Sequence, residues 1–138
     1  LAPTAVLVLW TLIMLLWMTV TRFSAFAQVG LKMGEAEPGT RYVEVEQMMP
    51  TKVNWKSHNY THLMEQPTIF YAVVAVLALA GEGAGLNASL AWAYVGIRVV
   101  HSIWQATFNI IVVRVTLFTL STLVLWGLAI NAVRATLF

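Results

Sequence analysis

The chain has 138 residues, of which 59% are hydrophobic and only 10% charged, with a formal net charge of +2. Soluble domains of this size carry about a quarter charged residues, so the composition excludes an ordinary soluble globule and points to one domain of membrane-spanning helices. There is no cysteine, hence no disulfide and no thiolate metal site, and the small, scattered positive charge offers no nucleic-acid surface.

The first apolar run predicts a helix over about residues 2–29. It lacks a basic start and a cleavage site and is too long for a signal peptide, so it reads as a spanning helix. Because the run opens abruptly on Leu1, a few residues are expected to precede it. Trp10 and Trp17 share a face and are expected to meet lipid or neighbouring helices. Residues 30–54, charged and broken by "EPG" and "MMPT", predict a surface loop. The second helix, about 55–80, has a polar start with Trp55 and Tyr60 as interface anchors. Pro67 is expected to bend it just after Glu65 and free a carbonyl.

"GEGAGLN" predicts a tight turn into the third helix, about 86–112. The fourth, about 114–137, follows after a short link around Asn109 to Arg114, which makes these two helices antiparallel neighbours. Each run approaches the roughly 20 residues that cross a hydrocarbon core about 30 Å thick. A spanning segment must satisfy its own backbone, so the expected fold is all-α, a four-helix transmembrane bundle. Ala72, Ala75, Ala78 and Gly96 allow close helix packing.

Basic residues set the orientation. Lys32, Arg41, Lys52 and Lys56 belong to the long first loop, while the turn after the second helix has no basic residue and the C-terminal end carries only Arg134. The positive-inside rule places the loop and the third-to-fourth link in the cytoplasm and both termini on the far side. Glu35, Glu37, Glu44 and Glu46 count little in this rule.

The polar residues at membrane depth carry the functional signal. Arg98 and His101 lie inside the third apolar run, where unpartnered ionisable groups are costly and usually face a bundle interior or wet cavity. Arg98, His101, Gln105 and Asn109 share a helical face by spacings of three and four. On the second helix, His58, His62 and Glu65 do the same. Glu65 sits roughly 12 Å in from Ser57, and His101 and Gln105 roughly 10 to 17 Å in from Val112, so the two stripes stand at matching heights. Arg114 opens the fourth helix at the cytoplasmic mouth.

A structural reading pairs Glu65 with Arg98 to hold two helices together. The surplus of polar groups favours a cavity, open to the cytoplasm, for an anionic ligand. His58, His62 and Glu65 could instead offer two imidazoles and a carboxylate to a metal, and His62 and His101 could flank a haem. The histidines are too few for a membrane di-iron enzyme, and no metal site is expected.

These residues resemble a known family. "HNYTHLMEQPTIFYAV", "IRVVHSIWQATFN" and "RVTLFTL" are similar to segments of the membrane-associated proteins in eicosanoid and glutathione metabolism, the MAPEG family. The chain looks like a divergent bacterial-type member. The resemblance implies a homotrimer of four-helix subunits in a bacterial inner membrane, in contact with lipid, binding glutathione between neighbours near the cytoplasmic side. It implies that Glu65 holds the amino end of glutathione. Arg98 and Arg114 would contact glutathione or line its pocket, and His101 would lie near it. His62 stands where many members have asparagine, Gln105 where a ligand-contacting tyrosine is frequent, and Phe118 where several active enzymes carry a tyrosine. The implied ligand set is therefore Glu65, Arg98, His62, His101 and Gln105, with Arg114 stabilising the thiolate. The implied activity is a glutathione-dependent transferase or peroxidase acting on lipophilic electrophiles or lipid hydroperoxides. The alternative is a non-catalytic accessory subunit among other membrane subunits.

Overall fold

A computed structural model describes residues 1–30, 34 and 37–137. Lys32 and Glu35, used above for orientation, lie outside the described residues. Among the described residues the regular structure is helical: α1 (Ala2–Gln28), α2 (Tyr42–Gln47), α3 (Thr51–Leu79), α4 (Gly85–Thr107) and α5 (Ile111–Leu137). Three of these, α1, α3 and α5, are long and apolar enough to cross a membrane. The chain is an integral membrane protein. The fourth long helix, α4, has 23 residues, or roughly 35 Å at 1.5 Å per residue, and its apolar run is interrupted by Arg98, His101 and Gln105.

The element limits differ from the sequence expectation at three places. The loop expected over 30–54 contains the short helix α2, opened by a capping box in which the Arg41 backbone N–H donates to Glu44 Oε2 at 3.3 Å. The next helix begins at Thr51, directly after Pro50, whose extended backbone starts it. Asn54 Nδ2 donates to the Glu46 carbonyl at 2.8 Å, and His58 pairs with the Glu46 carboxylate. The loop is thereby tied back onto α3.

The largest difference lies between α4 and α5. The third apolar run is not one helix to residue 112. It stops at Thr107, where the backbone N–H groups of Phe108 and Asn109 both converge on the Trp104 carbonyl, at 2.9 and 2.8 Å. Asn109 takes a left-handed conformation, φ +53, which asparagine tolerates better than most residues. No glycine or proline marks this turn, so hydropathy alone runs straight through it. At the other end, the turn after α3 is a Schellman motif. Gly81 (φ +79) and Glu82 donate back to Ala78 and Leu77 at 3.2 and 2.9 Å, closing the helix as glycine allows.

α3 and α4 form the central pair, and α1 and α5 flank it, each packing on both. The buried faces follow helical spacing. On α3 they are Asn59, Leu63, Pro67, Phe70, Val74 and Leu77; on α4, Ala91, Tyr94, Val95, Arg98, His101, Ser102 and Gln105. The helix continues through Pro67 without a break. Phe70 stacks on Tyr94 with ring centroids 4.3 Å apart. Away from the core, hydroxyls bond back to their own helix, as Thr107 to the Ile103 carbonyl at 2.7 Å and Thr116 to Val112 at 2.9 Å, so that these donors are met within the helix.

Polar side chains also tie the helices together. Gln66 is a hub: its Nε2 donates to Thr122 Oγ1 at 2.8 Å, and its Oε1 accepts from Tyr94 at 3.3 Å and Ser121 at 3.4 Å. One residue of α3 therefore links α4 and α5. Trp10 Nε1 donates to Ser102 Oγ at 3.0 Å, fastening α1 to α4, while Trp17 lies under Lys56, 5.4 Å from the ammonium.

Interhelical hydrogen bonds in membrane proteins average about 0.6 kcal/mol each. Gln66→Leu removes all three bonds and leaves the Tyr94 hydroxyl without its partner, while Ser121 and Thr122 keep their bonds to the Phe118 carbonyl; it should destabilise the bundle by about 1–2 kcal/mol. Reversible unfolding in mixed micelles measures this, and an unchanged midpoint would remove Gln66 as the tie between α3, α4 and α5.

Candidate functional site

The core stripe of α3 turns polar toward its N-terminal end and the stripe of α4 toward its C-terminal end, and these ends adjoin. Arg98 is fully buried. Its Nη2 donates to the His62 carbonyl of α3 at 2.7 Å. That carbonyl precedes Leu63, whose own carbonyl loses its helical donor to Pro67. Arg98 Nε and Nη1 have no partner among the described residues, and the guanidinium lies 5.9 Å from the centre of the Phe118 ring.

His101, 1% exposed, runs nearly parallel to the His62 ring with centroids 6.2 Å apart. It also lies 6.3 Å from Phe118. Both of its ring nitrogens lack a partner, as do both polar atoms of buried Gln105, both of Asn59, Ser57 Oγ, Trp104 Nε1 and His62 Nδ1. Native proteins leave only a few buried polar groups unpaired. A belt of them on the buried faces of α3 and α4 suits water or a polar guest.

A second group of residues reaches the surface. Glu65 is exposed and Arg114 half-buried. Arg114 Nη1 donates to Asn109 Oδ1 at 2.9 Å, so the left-handed residue of the α4–α5 turn also aims the arginine. His62 is half-buried and lies within electrostatic range of Glu65, Arg98 and Arg114. The site residues expected from sequence thus fall into two layers. Arg98, His101 and Gln105 form a buried inner layer, and His62, Glu65 and Arg114 stand outside it.

Two alternative readings of the sequence do not match this geometry. Among the described residues no ion pair joins Glu65 to Arg98; the guanidinium is held by the His62 backbone instead. His58, His62 and Glu65 do not gather, because His58 turns to Glu46.

Asn59, Ser57 and Trp104 were missed as members of the belt. Asn59 had a legible signal. The apolar positions Leu63, Pro67, Phe70, Val74 and Leu77 recur at spacings of three and four, and one step of four backward lands on Asn59. Trp104 adjoins Gln105 on α4 and had no such signal.

The profile of the MAPEG family matches residues 1–134 of the chain, which takes in nearly all of the four long helices. No curated protein and no solved structure shows a significant match to the chain.

Asn109 has two separable duties, the turn and the aim of Arg114. Asn109→Gly keeps the left-handed backbone without strain and should leave stability within about 0.5 kcal/mol of the parent. Asn109→Val forces a β-branched residue into that region and should cost about 1–3 kcal/mol. Thermal unfolding of the two variants decides it; equal stability would mean that the turn conformation is not held by residue 109.

Proposed function

The chain belongs to the MAPEG family, and on that premise we propose that it is an integral-membrane, glutathione-dependent transferase or peroxidase, working as a homotrimer on lipophilic electrophiles or lipid hydroperoxides. The observation that carries this reading is the Arg98 guanidinium, buried with two of its three nitrogens unpaired among the described residues and within electrostatic range of the exposed Glu65 carboxylate. A buried cation left so poorly compensated costs several kcal/mol, and an anionic guest relieves that cost.

Glutathione fits the donors and acceptors present. It has two carboxylates, one ammonium and one thiol. Arg98 and Arg114 suit the carboxylates, bidentate where geometry allows, and Glu65 suits the ammonium. His62, Gln105 and Asn59 supply further hydrogen-bonding capacity at the inner wall. The exposure of Glu65 on the monomer suits a ligand shared between neighbouring subunits. Exposed apolar residues on α1 and α5, such as Leu12, Leu16, Leu123 and Trp126, are suited to lipid or to a second copy. The loop and the α4–α5 turn then face the cytoplasm, where glutathione is supplied.

In this reading Arg114 is the catalytic residue. A guanidinium beside a thiol depresses its pKa and holds the thiolate. In conjugation the sulfur lone pair forms a C–S bond to the electrophilic carbon. The carbon's bond to its leaving group breaks, and the leaving group departs with the electron pair. The electrophile enters sideways from the bilayer. Phe118 offers no hydroxyl to share the sulfur's charge, and its ring instead covers the Arg98 cation. A second reading, a non-catalytic accessory subunit, draws on the same Phe118 and on Gln105, which stands where a ligand-contacting tyrosine is frequent in the family.

Calorimetric titration with glutathione separates the two. The parent protein should release heat with saturable binding, and Arg114→Ala should bind at least about tenfold more weakly, equivalent to about 1.4 kcal/mol. No heat from a folded parent protein would favour the accessory role. Phe118→Tyr should raise the conjugation rate toward a chromogenic electrophile by about tenfold, within the 10²-fold scale of a single oxyanion donor. A rate unchanged or lowered in that variant would mean that position 118 does not face the sulfur.

A further inference from the structure

At the opposite end of α5 from Arg114, two cavities meet at a single side chain. The larger is an open cleft of about 720 Å³ between the α3–α4 turn and the end of α5, with Glu82, Asn87, Asn131 and Arg134 among its walls. The smaller, about 280 Å³, runs along the outer face of α5 past Trp126, Ala129, Ile130 and Val133 to Arg134. The cleft carries polar side chains among mixed walls, the groove is lined almost wholly by apolar surface, and Arg134 belongs to both.

The floor of the cleft is fixed. Asn131 Nδ2 donates to Asn87 Oδ1 at 2.7 Å, and Asn87 Nδ2 donates to the Glu82 carbonyl at 2.9 Å. These bonds fasten α5 to α4 and α4 to the turn. The two charged side chains are not used in this way. Glu82 and Arg134 are exposed, and among the described residues neither side chain is hydrogen-bonded or ion-paired.

Depth gives the cleft its chemical setting. Twenty positions separate Arg114 from Arg134, with no charged residue between them. At 1.5 Å per residue that is roughly 30 Å, the thickness of the hydrocarbon core. The two arginines therefore bracket the membrane-crossing part of α5, and Arg134 stands at headgroup level in the leaflet away from the Arg98 belt. Trp126 lies eight positions deeper, roughly 12 Å into the acyl region.

We propose that this end of the bundle is a binding site for a glycerophospholipid with an amine-bearing headgroup. Arg134 takes the phosphate through charge-assisted hydrogen bonds. Glu82 takes the headgroup ammonium across the cleft. One acyl chain lies in the apolar groove over Ala129, Ile130 and Val133. A cation and an anion facing one cleft match a zwitterion better than a purely anionic lipid, and a groove continuing from the phosphate site toward the membrane centre matches a ligand with a tail. The site is separate from the glutathione reading and does not depend on it.

Native mass spectrometry of the full chain, released from micelles with added lipid, tests this. Phosphatidylethanolamine should be retained at least about fivefold over phosphatidylglycerol, a difference of about 1 kcal/mol. Arg134→Ala should lose most of the retained lipid. Glu82→Gln should keep lipid binding but lose the preference between the two headgroups. Ala129→Trp, which fills the groove, should lose lipid while its unfolding midpoint stays near that of the parent. Equal retention by the parent protein and Arg134→Ala would overturn the proposal. So would displacement of the lipid by millimolar inorganic phosphate, which would mark a free-anion site. Loss of oligomer in Arg134→Ala would overturn it too, assigning this face to contact between copies.

Discussion

Arg98 reaches from α4 to the His62 carbonyl of α3, and most of what is distinctive in this bundle follows from that one bond. A guanidinium at membrane depth cannot be left to lipid. The chain meets it with a backbone oxygen one residue before the carbonyl that Pro67 deprives of its helical donor, and with the face of Phe118. Among the described residues no acidic side chain closes the pair. The helices are thereby held in register by a contact that leaves the cation mostly uncompensated, and that imbalance extends along the belt through His101, Gln105 and Asn59. Two helices could be fastened with less exposure to cost, as Gln66 fastens α3 to α4 and α5 with every polar atom paired. The contrast between the paired Gln66 hub and the unpaired Arg98 belt separates structural polarity from polarity available to a guest.

The layered arrangement also explains how an inner and an outer arginine could share one ligand. Arg98 is fixed by α3 from within. Arg114 is fixed by Asn109, which at the same time makes the turn that brings α5 back along α4. The direction of Arg114 is thus a consequence of backbone geometry in the link rather than of packing within α5. His62 stands between the layers, with its carbonyl committed to Arg98 and its ring parallel to His101. Few residues carry several duties here, and each duty is set by a different element.

The two ends of the bundle contrast in the same terms. Toward Arg114 the polar groups lie inside, between α3 and α4, under helix surfaces. Toward Arg134 the half-buried polar pair, Asn87 and Asn131, is bonded together, and the spare charges lie outside on the cleft walls. Inner spare charge suits a ligand that the protein encloses, and outer spare charge suits one that the membrane presents.

Long apolar runs, the tight glycine turn at Gly81 and the inward stripe of Arg98, His101 and Gln105 were all legible in the amino-acid order. Helix formation and the three-and-four spacing of a face are local properties of the chain, and in lipid the backbone has few alternatives. The rotation of α3 was not legible: His58, His62 and Glu65 share a face as well as Asn59, Leu63 and Pro67 do, and one residue turns a helix by about 100°. Contact with α1, α4 and α5 selected the second face, sent His58 to Glu46 and left Glu65 outside. The stop at Thr107 was hidden likewise, because an asparagine turn inside an apolar run has no hydropathic signature. Burial and pairing belong to surfaces brought together from distant segments, and only the packed bundle could decide them.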